Sequence, residues 1–234
     1  MDKSVEEVEK KAGARQKSEI LGIFAKQPLV GSVKTRLCPP LNLTQAANLY
    51  AQALRETVTR MQALKRCDLA ICYSGERCWF EAAFPGTPLI PQQGADLGER
   101  MAERLSGWLA AGYDRAVLIG SDAPDLPLER IDQAFDALAR AEVVIGPALD
   151  GGYYLVGETR HQPELFAGIR WSTAEVLQQT LERAAQLGIR TLALAPWDDL
   201  DDLPALLRLL QRSPDTATAA HVRLLLGQQR ESLT

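Results

Sequence analysis

Three cations fall within eleven residues near the start of the chain: Lys26, Lys34 and Arg36, in IFAKQPLVGSVKTRL. Pro28 and Gly31 shape a loop there, and backbone N–H groups at a glycine turn, joined by Lys and Arg side chains, make a cradle for an anion. A di- or triphosphate is the natural guest, held by Lys26, Gly31, Lys34, Thr35 and Arg36, with Lys34 nearest the chemistry. The segment is not a Walker A loop, because Val33 stands where that motif requires its second glycine. The competing reading is a solvated loop that happens to be basic.

The complementary charge lies further on. AVLIGSDAPDLP runs from an apolar segment into Asp122, a carboxylate placed to hold a hard cation such as Mg²⁺ or Mn²⁺, which takes one or two carboxylates and completes its shell with substrate phosphates. Asp125 is expected to shape the turn or cap the next helix. PWDDLDDLPAL supplies Asp198, Asp199, Asp201 and Asp202; Asp201 is the candidate second metal ligand, and one of the others caps a helix. Asp150, Gly151, Gly152 and Tyr153 form either a plain hairpin turn or an acceptor site that needs close backbone approach. Trp171 is a hydrophobic staple or a wall of that acceptor pocket. Ser121 lacks a nucleophile-elbow context, and the two histidines, His161 and His221, read as surface residues.

These groups must be positioned by regular elements. Continuous apolar runs at 20–26, 69–74, 88–91, 116–120, 143–147, 153–156 and 191–195 predict strands covered on both faces. Helical spacing predicts helices over 45–64, with Thr44 as N-cap, and over 97–110, capped by Asp96 and Glu99. Further helices are predicted over 128–140, 173–187, 202–212 and 216–229. Ser172 and Glu175 fit a capping box, with Trp171 and Val176 as its staple. Gln92 to Met101 leads through Gly94 into a helix N-terminus, a phosphate or base contact. Strand alternating with helix means an α/β domain with a mainly parallel sheet, whose ligands bind at the carboxyl ends of its strands.

The chain has 234 residues and a net charge of −4, enough for one sizeable domain and unsuited to general nucleic-acid binding. Residues 1–18 are polar and read as a tail; 19–234 read as one domain. Four cysteines without a C-x-x-C pair read as free thiols. The charged N-terminus is unlike a signal peptide and no run is long enough to span a membrane, so a cytoplasmic location is expected. The apolar stripe of the last helix reads as core, with a homodimer contact as the alternative.

FAKQPLVGSVKTRL, GSDAPDLP, GPALDGGYYLVG and WST together resemble the glycosyltransferase-like family labelled "transferase 1, radical-SAM/selenodomain-associated", some of whose members are called arsenosugar-biosynthesis glycosyltransferases. The resemblance covers residues 20–205. That family is similar to the GT-A, or nucleotide-diphospho-sugar transferase, superfamily, and the first loop also resembles that of phospholactate guanylyltransferases. The resemblance implies a three-layer α/β/α fold with a mixed, mostly parallel sheet of about seven strands. It also implies nucleotide binding at the first loop and a divalent metal at Asp122. The chain departs from the guanylyltransferases at DGGYYLVG and lacks a strict D-x-D.

Two reactions fit one site. In nucleotidyl transfer an acceptor phosphate attacks a nucleoside triphosphate, and catalysis is positioning plus charge neutralisation. In glycosyl transfer a nucleoside diphosphate departs from a sugar and the acceptor hydroxyl needs a base, for which Asp150 is the candidate. The basic loop tilts the sequence reading towards nucleotidyl transfer to a small phosphorylated acceptor. An idle nucleotide-binding scaffold is the alternative from another class.

Overall fold

The computed structural model describes residues 19–231; the predicted tail, 1–18, lies outside them. Seven strands form one sheet: β1 (Glu19–Lys26), β2 (Asp68–Ser74), β3 (Leu89–Pro91), β4 (Arg115–Gly120), β5 (Val143–Pro147), β6 (Tyr153–Glu158) and β7 (Thr191–Ala193), in the order β3-β2-β1-β4-β6-β5-β7. All neighbours run parallel except β6, which is antiparallel to both β4 and β5. The mixed, mostly parallel α/β sheet matches the fold class expected from the sequence.

Among the described residues seven α-helices accompany the sheet: α1 (Leu43–Met61), α2 (Arg77–Ala83), α3 (Leu97–Ala110), α4 (Leu128–Ala137), α5 (Val176–Gln186), α6 (Leu203–Arg212) and α7 (Ala217–Glu231). Alternate residues of β1 feed two separate cores, because successive side chains of a strand point to opposite faces. Leu21, Ile23 and Ala25 join α1, α2 and α4 on one side, while Ile20 and Phe24 join α3 and α5 on the other. Gly22 lets Trp108 of α3 approach the strand closely; a Cβ there would stand 2.3 Å from the indole. A third core sets Leu206 and Leu209 of α6 and Val222 of α7 against Leu49 and Ala53 of α1. Of the apolar stripe of the last helix, Val222 and Leu225 are buried in this core, whereas Leu224 is 65% exposed.

Several local expectations are corrected. The N-cap of α1 is Asn42, not Thr44: its side chain accepts the Gln45 N–H and Gln45 reaches back to the Asn42 N–H, a complete capping box. Ser172 and Glu175 form no such box. Ser172 has φ 65°, and α5 begins only at Val176 without a side-chain cap. Strand β7 is not covered on both faces, since Leu192 at the sheet edge is 39% exposed. Helix α2 has no counterpart in the sequence reading. His221 is not a plain surface residue: its Nε2 is buried, and burial lowers its pKa.

Candidate active site

The chain order reverses between β1 and β4, which lie side by side and parallel. A crevice opens at the carboxyl ends of strands at such a switch point. Here it is a cleft of about 810 Å³, walled by residues following β1, β3 and β4, by the β5–β6 turn and by the loop after β7. Tyr50 of α1 ties β1 to β4: its hydroxyl accepts the Lys26 N–H at 2.9 Å and shares a hydrogen bond with Ser121 Oγ at 2.8 Å. Burial raises the Tyr50 pKa to about 12, so this tie stays neutral.

Lys34 is the centre of the arrangement. Its backbone sits in the left-handed region, φ 50°, just before a single 3-10 turn at Thr35–Leu37. Its ammonium lies 3.0 Å from Asp122 Oδ1 and 2.7 Å from Asp201 Oδ1, with the side chain only 7% exposed. Burial alone would lower its pKa, but the two carboxylates reverse that and raise it, so the group stays charged. Asp201 ends below the usual carboxylate range: burial pushes it up, and Lys34 and then Arg36 outweigh that. Arg36 is solvent-exposed and reaches Asp201 Oδ2 at 3.9 Å.

Asp199, which the sequence reading left among four neighbours, lies on the cleft wall. Its pKa rises to about 8, first through burial and then through the carboxylates of Asp122, Asp201 and Asp150, against which Lys34 acts only in part. That role is illegible in one dimension, because the three carboxylates come from three separate loops.

The remaining candidates separate. Lys26, Thr35 and Arg36 line the cleft; Gly31 does not, and instead gives its φ of 81° to a turn closed by Ser32 N–H to Leu29 C=O. Asp150 lines it with one carboxylate oxygen held by the Gly152 N–H at 2.9 Å. Gly151 is pressed against Ala174, whose carbonyl oxygen a Cβ would meet at 2.1 Å, so the turn and the WST segment form one wall. Trp171 lies on Gly98 at the start of α3 and meets Tyr153 edge to face, with ring centroids 6.4 Å apart. Asp125 neither caps a helix nor faces the cleft: it is bound by Arg212, Ser213 and Trp197. Asp202 caps α6.

Four carboxyl groups line the cleft, and two of them, Asp122 and Asp201, share the buried Lys34 ammonium. That excess of hard oxygen donors fits a divalent cation. Among the described residues no group of three or more acidic, histidine or cysteine side chains is gathered closely enough to cage a metal alone.

A family profile described as "Uncharacterized protein conserved in bacteria (DUF2064)" matches residues 57–173. The chain belongs to this family. It is 36% identical to a solved structure from Desulfovibrio desulfuricans G20 described as a "putative nucleotide-diphospho-sugar transferase", over 91% of this chain and 97% of that one, with a TM-score of 0.84. The family fold is shared at lower identity with two further structures. One is 4-diphosphocytidyl-2C-methyl-D-erythritol synthase, 13% identical over 83% of this chain and 98% of that chain, TM-score 0.54. The other is a cytidylyltransferase from Leptospira borgpetersenii serovar Hardjo-bovis (strain JB197), 14% identical over 80% and 79%, TM-score 0.52. No curated protein matches the sequence.

Proposed function

We propose that the protein is a metal-dependent transferase that takes a nucleotide-diphospho-sugar and moves the sugar to a small, hydroxyl-bearing acceptor. The transferase class and the nucleotide donor rest on kinship with the 36%-identical relative. The choice of glycosyl transfer rests on how charge is divided around the cleft. Its cations, Lys26, Lys34, Arg36 and Arg100, all come from the walls at 24–36 and 92–100. The wall at 150–176 contributes Asp150, Gly152, Tyr153, Trp171 and Thr173, and no Lys or Arg. A phosphorylated acceptor would meet Asp150 there without a compensating cation; a neutral hydroxyl would not. This moves the balance away from the nucleotidyl reading that the basic loop alone supports.

The donor diphosphate lies against the first loop, where Lys34 and Arg36 neutralise it and hold it in place. Asp122 and Asp201 are the residues that would hold the metal, which, when bound, offsets the charge gathering on the departing diphosphate. Trp171 and Tyr153 wall the acceptor. Asp150, oriented by the Gly152 N–H, takes the proton of the acceptor hydroxyl as it attacks the sugar. Nucleotidyl transfer stands as the second reading, favoured by three cations within one loop.

A melting-temperature panel with Mg²⁺ tests this: four nucleoside triphosphates, UDP- and GDP-sugars, and a repeat with EDTA. A ligand at 100 times its dissociation constant adds about 2.7 kcal/mol, which is roughly 5–10 °C for a chain of this size. Metal-dependent stabilisation by a nucleotide sugar is expected. Stabilisation by a triphosphate alone would hand the site to nucleotidyl transfer.

A further inference from the structure

The two loops that carry Asp122 and Asp201 each carry a further carboxylate facing away from the cleft. Asp125 follows Asp122 by three residues, and Asp198 precedes Asp201 by three; neither lines the cleft. The Asp125 side chain is fully buried and takes both arms of Arg212, Nε to Oδ2 at 2.7 Å and Nη2 to Oδ1 at 3.1 Å. Ser213 Oγ adds a bond at 2.8 Å and Trp197 Nε1 one at 3.4 Å. Asp198, 4% exposed, takes Arg208 through Nε at 2.7 Å and Nη2 at 2.9 Å, and Arg212 Nη1 at 3.3 Å.

Among the described residues Arg212 is therefore the cation that touches both rear carboxylates. It also lies over the Trp197 ring, 4.8 Å from the centroid, and Trp197 is fastened to β5 through its N–H to the Pro147 carbonyl at 3.0 Å. The two loops meet directly as well, Leu200 N–H donating to Asp122 C=O at 2.9 Å. Arg212 closes α6, whose other face is packed into the core with α1 and α7. A loop after a strand has many conformations available; a planar guanidinium with fixed donor directions removes them.

We propose that Arg212 is a positioning residue for the cleft: by gripping Asp125 and Asp198 together it sets how far apart Asp122 and Asp201 stand, and α6 is the brace behind the site. The proposal takes its ligand from the nucleotide reading above. Were α6 only a helix that closes the domain, Arg212 would matter to folding alone.

The test compares Arg212→Ala, Arg212→Lys, Ser213→Ala and Arg66→Ala with the unaltered protein. Arg66 joins Glu19, Asp132 and Asp136, remote in the structure from the cleft, and serves as a purely structural ion-pair control. The first readout is calorimetric affinity for Mg²⁺ with inorganic pyrophosphate, well below every melting point. Arg212→Ala is expected to weaken it about 10- to 100-fold, the usual cost of losing a group that orients metal-site ligands. Arg212→Lys should recover part of this, Ser213→Ala should lose a few-fold (roughly), and Arg66→Ala should lose nothing. The second readout is amide hydrogen exchange, which should rise at 121–126 and 198–202 together in Arg212→Ala and not in Arg66→Ala. Equal affinity in Arg212→Ala, or faster exchange confined to α6, overturns the proposal. If the unaltered protein takes no pyrophosphate, the nucleotide reading fails, and the exchange result still decides whether Arg212 holds the two loops.

Discussion

The forward and rear carboxylates of the same two loops are in opposite electrostatic conditions. At the rear, Asp125 and Asp198 face Arg208 and Arg212, two charges against two, joined by bidentate hydrogen bonds. At the front, Asp122, Asp150, Asp199 and Asp201 act on one another, with Lys34 as the buried cation between them. Buried charge is ordinarily paired, because an unpaired ion loses its hydration without return. The rear cluster obeys that rule by pairing; the front one holds more carboxyl groups than cations, with Asp122 and Asp201 partly open to solvent and buried Asp199 meeting the imbalance by a pKa raised to about 8. Such a local imbalance inside a cleft is how a binding site differs from a structural ion pair.

Asp122→Asn should show the difference most strongly. Metal-dependent turnover of a nucleotide sugar is expected to fall about 10²-fold or more, since both the oxygen proposed to hold the metal and part of the Lys34 anchor are lost. Folding stability should change by about 1 kcal/mol or less, because the lost ion pair is offset by relief of repulsion on Asp199. Donor consumption and a melting curve measure the two effects. Unchanged turnover in a folded Asp122→Asn protein would sink the assignment of the cleft as a metal-dependent active site.

Asp125→Asn should give the mirror image in stability. Its side chain is fully buried against a guanidinium that is 27% exposed. Removing one partner of a buried pair costs about 3 kcal/mol or more, here roughly 6–12 °C of melting temperature. A melting point indistinguishable from the parent would mean that the rear cluster is no brace, and would erase the contrast.

How much of this the sequence disclosed follows the same division. The seven strands are legible because each is a short apolar run, and Leu21, Ile23, Val117 and Ile145 show why for the central ones: there the sheet is buried on both sides and tolerates no polar alternation. Helix α2 is illegible because seven residues, Arg77–Ala83, are too few to display a period; it is fixed by Phe80 packing against Tyr73, Trp79 and Phe84. Lys34, Asp122 and Asp201 can be nominated from type and place, as charged residues just beyond buried strands. Arg208 and Arg212 cannot, because cations on an amphipathic helix look like a solvated face until Asp125 and Asp198 are brought to them. Asp199 cannot either, since its charge state is set first by burial and then by residues 122, 201 and 150 acting through space, none of which its own sequence neighbourhood announces.

The smallest effect separates charge from packing within the rear cluster. Burial pushes the Asp198 carboxyl up, but Arg208 and then Arg212 more than reverse this, leaving it below the ordinary carboxylate range. A carboxyl whose folded pKa lies below its unfolded one adds stability that is complete above the unfolded value, about 3.9, and is lost as pH falls through the folded one. Arg208 is 45% exposed, so screening limits its share: Arg208→Ala should cost about 1 kcal/mol or less at pH 7. That cost should shrink as pH falls below about 4, because protonation of Asp198 removes the partner from both proteins. Melting temperatures of the two proteins across this range should therefore converge on acidification. A constant gap would show that Arg208 contributes through its aliphatic stem rather than its charge, and would leave Arg212 as the cation that holds the rear of the site.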